Sequence, residues 1–174
     1  MKEILNHTAL QSKIKDLAAQ LLKQYPALDN VVFIGIQQGG VVLSDELVAA
    51  LEQLHATKDI KYGQLDITFY RDDIRKEIMA PDTMHIPFPI ENKNVVLIDD
   101  VLFTGRTIKA ALDVLLDYGR PAKVELCVLI DRKEHRQFPI QADYVGMSLS
   151  TDKQDKVKLI KGEDGNKHVI LLTG

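Results

Sequence analysis

Val95-Val96-Leu97-Ile98-Asp99-Asp100-Val101-Leu102-Phe103-Thr104-Gly105-Arg106-Thr107 opens as an unbroken aliphatic run and closes as the start of a helix. An apolar run of this length with no polar alternation suits a strand covered on both faces, as in a parallel sheet. Two carboxylates follow it directly, then a turn. Beyond the turn, Ile108, Ala111, Leu112 and Leu115 recur at helical spacing, and Gly119 and Pro121 end the helix.

The same alternation repeats on either side. Upstream, Leu10, Ile14, Leu17 and Leu21 mark a helix, with Thr8 and Gln11 reading as its capping box and Pro26 closing it. Val31–Ile36 is a second buried-type strand. It is broken by Gly39-Gly40 and followed by a helical stripe of Leu43, Leu47, Leu51 and Leu54. Leu65, Ile67 and Phe69 alternate with polar residues and predict a strand. Downstream, Val124–Ile130 and Tyr144–Met147 read as strands, and Val157–Ile160 with His168–Leu172 flank Asp164-Gly165 as a hairpin. Residues 72–93 have no period and contain three prolines, Pro81, Pro87 and Pro89. An aperiodic stretch of that length inside a domain is expected to be a lid or disordered.

These elements predict an α/β fold: a mainly parallel central sheet flanked by helices, with a C-terminal hairpin at 157–172. We read a single domain over residues 1–174, with a lid at about 72–93. A chain of 174 residues can bury a core without disulfides, and its single cysteine, Cys127, allows none within the chain. The 22 Lys+Arg against 25 Asp+Glu give a net charge of −3, so any nucleic-acid site has to be a local patch. Neither a signal-peptide core nor an apolar run long enough to span a bilayer is present in the sequence, so a cytoplasmic location is expected.

In a parallel sheet, ligands sit outside the carboxyl ends of the strands, which singles out the loops after Ile36, Ile98 and Ile130. A helix N-terminus offers free N–H groups and partial positive charge to a phosphate. Gly105 permits close backbone approach, and the hydroxyls of Thr104 and Thr107 can donate. Asp99 and Asp100 repel phosphate; they suit sugar hydroxyls or a water-mediated Mg²⁺. An Asp-Asp pair alone more often caps a turn. With the apolar strand before it and Thr-Gly-x-Thr and an amphipathic helix after it, the run describes a site for a phosphorylated ribose.

The run resembles the phosphoribosyl-diphosphate-binding motif of the type I phosphoribosyltransferases. Within that superfamily the chain resembles the bifunctional pyrimidine-operon regulators that are also uracil phosphoribosyltransferases. Three further stretches carry that likeness: Asp66–Asp73; Tyr118-Gly119-Arg120-Pro121; and Leu129–Arg132 with His135-Arg136 and Pro139–Gly146. The resemblance implies a pentosyltransferase that joins uracil to phosphoribosyl diphosphate, giving uridine monophosphate and diphosphate. It implies that Asp99 and Asp100 hold the ribose hydroxyls within a phosphoribose segment that includes Val101, Leu102 and Phe103. It also implies that Thr104, Gly105, Arg106 and Thr107 hold the 5′-phosphate, and that Mg²⁺ enters with the diphosphate rather than on protein ligands alone. Arg71, at the start of the lid, either reaches the diphosphate or pairs with Asp72 or Asp73. The resemblance further implies a small hood at about 131–147, completed by the hairpin at 157–172, whose loop with Asp131, Arg132, His135 and Arg136 would frame the base; His135 reads either as a general base or as a solvated loop histidine. RNA is a further partner implied by the resemblance, for which Lys153, Lys156, Lys158 and Lys161 and the helix residues Lys13, Lys15 and Lys23 are candidates. A homo-oligomer is implied as well, and no membrane partner.

Two departures stand out. The diphosphate loop Gly35-Ile36-Gln37-Gln38-Gly39-Gly40 lacks the basic residues of the related pattern Gly-Ile-Lys-Thr-Arg-Gly. Gln37 and Gln38 donate hydrogen bonds but neutralise no charge. A lost charge-assisted contact costs about 1.5–3 kcal/mol, roughly 10- to 150-fold in rate if it is made in the transition state. An arginine in place of Gly39 is then expected to restore turnover. The hood loop Asp131-Arg132-Lys133-Glu134-His135-Arg136 is one residue longer than the related Asp-Arg-Gly-His-Arg.

Overall fold

A computed structural model describes residues 1–56, 59–67 and 84–174 of the protein. Arg71 and the lid positions 72–83 lie outside these described residues.

Strands β1 (Lys2–Leu5), β2 (Val31–Ile36), β3 (Tyr62–Leu65), β4 (Met84–His85), β5 (Asn94–Leu102), β6 (Lys123–Asp131), β7 (Tyr144–Ser148), β8 (Lys156–Lys161) and β9 (Lys167–Leu172) alternate with helices α1 (His7–Gln24), α2 (Gly39–His55) and α3 (Arg106–Tyr118). The main sheet has six strands in the order β4-β3-β2-β5-β6-β7. β2, β3, β5, β6 and β7 run parallel, and only the short edge strand β4 is antiparallel. β5 lies in the middle, and alternate residues feed opposite faces. Val96 and Ile98 pack with Leu10, Leu17 and Leu47 of α1 and α2, while Val95 and Leu97 pack with Ile108, Ala111 and Leu115 of α3. This two-sided burial is why the strand is aliphatic from Val95 to Ile98.

The hairpin is present as β8 and β9, with register from Lys156↔Leu172 to Lys161↔Lys167. It becomes a three-stranded sheet through β1, which pairs antiparallel with β9. That N-terminal strand is not evident in the sequence, because Lys2-Glu3-Ile4-Leu5 is too short to show a period.

Several local expectations are corrected. The cap of α1 is Asn6, whose side chain accepts from the Ala9 N–H at 2.9 Å; Thr8 lies inside the first turn. The buried stripe of α2 includes Leu43, Leu47 and Leu51 but not Leu54, which is 56% exposed. Of the strand expected through Leu65, Ile67 and Phe69, β3 covers Tyr62–Leu65, Ile67 lies beyond it, and Phe69 lies outside the described residues. β5 does not stop at Ile98 but carries both carboxylates and continues to Leu102. Lid residues 84–93 are anchored to the core: Met84–His85 pairs with β3, Ile86 and Ile90 are buried, and Ile90 lies where a Cβ on Gly119 would be 2.8 Å from it.

Candidate active site

Parallel pairing brings the carboxyl ends of β2, β5 and β6 to one edge of the sheet. The loops leaving them meet there.

β5 contributes Asp99 and Asp100. Asp99 is 7% exposed and Asp100 is half-buried. Each carboxylate accepts the next backbone N–H: Asp100 N–H to Asp99 Oδ1 at 3.0 Å and Val101 N–H to Asp100 Oδ1 at 2.9 Å. These bonds hold the side chains up toward the end of the strand. Burial pushes the Asp100 carboxyl above its ordinary value, against the lowering by its hydrogen bonds. Asp99 also lines a cavity of about 180 Å³ with Val101, Leu102, Phe103, Thr104, Gly105, Arg106 and Thr107. Asp99 and the N-terminus of α3 therefore face one cavity, while the Asp100 carboxylate lies against the start of α2.

That helix begins at a left-handed Gly105, φ 91°, a conformation glycine adopts without strain. No side chain of Gly105 closes the helix end, and Thr104 Oγ1 accepts from the Arg106 N–H at 3.3 Å. N–H groups and hydroxyls thus converge at a helix N-terminus, the chemistry that binds an anionic phosphate.

β2 contributes the second loop. Gln37 and Gln38, joined by a cis peptide bond, lead into the N-terminus of α2 at Gly39. A Cβ on Gly39 would lie 2.1 Å from Asp100 Oδ2, and one on Gly40 would lie 2.4 Å from the Ile98 carbonyl oxygen. The paired glycines exist because α2 docks its first turn directly on the carboxylates. The uncapped helix end beside Asp100 offers N–H groups and positive potential where lysine or arginine is missing. A Cβ on Gly39 meets the Asp100 carboxylate, so Gly39→Arg requires that side chain to move aside.

β6 contributes the third loop. Asp131 ends the strand, and a one-turn 3₁₀ helix spans Lys133–His135. The four expected base-loop residues come together, with their side chains engaged by protein. The Arg136 Nη2 donates to Asp131 Oδ1 at 2.6 Å, and its Nη1 donates to the Phe103 carbonyl. The Arg132 guanidinium lies 3.8 Å from the Phe103 ring centroid and donates from Nε to Thr151 Oγ1 at 2.7 Å. His135 sets its ring edge-on to Phe103, 5.3 Å between centroids, and its Nε2 is 2.7 Å from the Thr151 carbonyl oxygen. It is therefore neither a solvated loop histidine nor placed against the carboxylate pair.

A further polar cluster went unread in the sequence. Glu125 is buried at the opposite end of β6 and accepts from the Tyr25 hydroxyl and, at 3.1 Å, from the Tyr144 hydroxyl; Lys123 Nζ is 3.2 Å away. The only hint was a glutamate at an inward position of an otherwise apolar strand. No group of three or more His, Cys, Asp or Glu residues able to hold a metal occurs among the described residues.

The strand order, the carboxylate pair above the central strand and the two helix N-termini beside it define a phosphoribosyltransferase. The phosphoribosyl transferase domain model matches residues 1–160. Proteins named bifunctional protein PyrR from Desulfosudis oleivorans and Chloroflexus aurantiacus are 43% and 42% identical to this chain over 173 and 176 residues. The alignments span 98% and 99% of it and 95% and 96% of those proteins. The fold matches a hypoxanthine-guanine phosphoribosyltransferase from Bacillus anthracis with a TM-score of 0.69 at 22% identity, over 89% of this chain and 85% of that one. The chain belongs to the PyrR family of phosphoribosyltransferases.

Proposed function

We propose that the protein transfers phosphoribose from 5-phosphoribosyl 1-diphosphate to uracil, forming uridine monophosphate and diphosphate, and that it also regulates pyrimidine biosynthesis genes. The observation that carries the reading is the shared cavity of Asp99 and the Thr104–Thr107 helix start, with Asp100 beside it under α2. A phosphorylated ribose needs a dianion site and a diol site a few ångströms apart, and this edge of the sheet supplies both.

The chemistry asks little covalent work of the protein. The anomeric carbon–oxygen bond breaks through an oxocarbenium-like state, in which charge builds on the ribose ring and on the departing diphosphate. Asp99 and Asp100 accept from the ribose hydroxyls and place negative charge near the ring. Thr104, Thr107 and the α3 N–H groups hold the 5′-phosphate as the fixed end of the substrate. Gln37, Gln38 and the α2 N-terminus donate to the diphosphate. Mg²⁺, when bound with the donor, would supply positive charge that offsets the charge building on the diphosphate. Buried Asp99, facing the cavity, and half-buried Asp100 beside it would fit a cation that arrives with the donor. Arg71 completes the diphosphate side in this proposal.

Lys156 and Lys158 occupy exposed positions of β8 on either side of buried Val157, which favours RNA as a second ligand. The reading also includes a homo-oligomer and a cytoplasmic location; among the described residues no helix is long and apolar enough to cross a membrane. The transfer is tested by incubating radiolabelled uracil with phosphoribosyl diphosphate and Mg²⁺. Labelled uridine monophosphate is expected; its absence at high protein concentration, beside an active control enzyme, would count against the reading. RNA binding is tested by filter retention of pyrimidine-operon leader RNA at rising salt. Affinity above that for an unrelated RNA is expected, and equal affinity would remove the regulatory half.

A further inference from the structure

The base loop and the phosphoribose loop are joined by one side chain. Arg136 sits just beyond the 3₁₀ turn, and its side chain is 17% exposed. One guanidinium nitrogen is held by Asp131, whose own side chain is 4% exposed at the end of β6. The other nitrogen donates to the backbone carbonyl of Phe103, in the turn between β5 and α3. The aliphatic part of the same side chain passes 3.5 Å from the position a Cβ would take on Gly105. Around it, the Gln137 N–H donates to the Thr104 carbonyl at 2.8 Å, and the Arg132 N–H donates to the Leu102 carbonyl at 2.9 Å. Both hydrogen-bonding ends of Arg136 are thus committed to protein. A guanidinium suits this task because its planar fork donates in two fixed directions at once.

We propose that Arg136 is a positioning residue that fixes the distance between the 5′-phosphate site and the base site, and does not itself bind the ligand. This inference rests on the proposed function, since it assumes one nucleotide spanning both loops. Its physical content is pre-organisation: a ligand gripping two loops at once gains affinity over its halves only if the loops are already set at the right separation. Loosening the strut leaves each half-site intact and penalises only the ligand that bridges them.

The test compares three ligands by calorimetry on the full-length wild type, Arg136→Met and Arg136→Lys. Uridine monophosphate bridges both sites, ribose 5-phosphate probes the phosphate loop, and uridine probes the base loop. For Arg136→Met, uridine monophosphate affinity is expected to fall roughly tenfold or more, the scale of one charge-assisted hydrogen bond. Ribose 5-phosphate and uridine are expected to stay within about twofold of wild type. Arg136→Lys keeps a cation against Asp131 but has no fork, so it should show a smaller loss, again confined to the bridging ligand. It also serves if the methionine variant fails to fold around the unpaired, buried Asp131 charge.

Loss confined to ribose 5-phosphate or uridine, carried through to the nucleotide, would make Arg136 a direct ligand contact and overturn the proposal. Equal loss of all three, or no loss for uridine monophosphate in a folded variant, would overturn it too. Failure of the proposed function looks different, because wild type itself would then bind uridine monophosphate no better than uridine.

Discussion

At Asp100 burial and function pull against each other. Burial raises its carboxyl above the ordinary range, yet the proposed chemistry needs it ionised. The ionised form is disfavoured in the folded site, so proton uptake begins at a higher pH than for an exposed aspartate. Asp99→Asn/Asp100→Asn keeps the shape and removes the charge. Transfer should fall by roughly two orders of magnitude or more, the scale of two lost charge-assisted hydrogen bonds. Circular dichroism should show a folded protein; an unfolded variant would make the pair structural. Gly39→Ala adds a single methyl 2.1 Å from the Asp100 carboxylate. It should depress activity by displacing Asp100, and wild-type kinetics for that variant would refute the close docking. Of these residue-scale facts, the aspartates and Thr-Gly-x-Thr were legible in the sequence, because motif and strand pattern coincide there. The role of Gly39 was not, since a glycine pair marks close approach without naming what approaches. Arg132, His135 and Arg136 were found as a group, but their partners Phe103, Thr151 and Asp131 are set by tertiary contact alone.

Among the elements, the helices owe their positions to caps and stripes that the sequence reveals unevenly. The stripe of α1 reads correctly as Leu10, Ile14, Leu17 and Leu21. Its cap does not, because Asn6 and Thr8 are both good cap residues and only the backbone decides between them. Asn6→Ala should cost about 1 kcal/mol of stability, measured by urea unfolding, while Thr8→Ala should cost appreciably less. The reverse order would place the cap at Thr8. At the far end of α1, Tyr25 and Tyr144 lean on Glu125. Burial, followed by the hydrogen bond from Tyr25 and the charge of Glu125 beside Tyr144, holds both phenols above their ordinary value. A raised folded value means the stability is complete below about pH 10 and is lost as pH rises beyond it. The urea midpoint should therefore drop between pH 9 and pH 11 (about the range of free tyrosine) more steeply in wild type than in Tyr25→Phe/Tyr144→Phe. Parallel profiles would mean the phenols are uncoupled from folding.

Over the whole molecule, the parallel sheet was legible because β2, β5 and β6 each contain a run of consecutive apolar residues, and such strands have few other homes. The small sheet was only half legible: β8 and β9 announce themselves by Asp164-Gly165, whereas β1 exists only through its pairing with β9. That pairing ties the first residues to the last, and Leu5, Val157 and Val169 join the core beneath α1. The sheet's geometry then makes the site. Three parallel strands deliver three loops to one edge, so the carboxylate pair and the start of α3 meet the start of α2 and the base loop, which lie far from them in sequence. The central claim is that a phosphorylated ribose lies across the end of β5. A crystal structure of the protein with uridine monophosphate tests it most directly. The expected result puts the phosphate on the N–H groups of Thr104–Thr107 and the ribose hydroxyls on Asp99 and Asp100. A phosphate bound away from the start of α3, or a ribose that leaves both aspartates untouched, would contradict it.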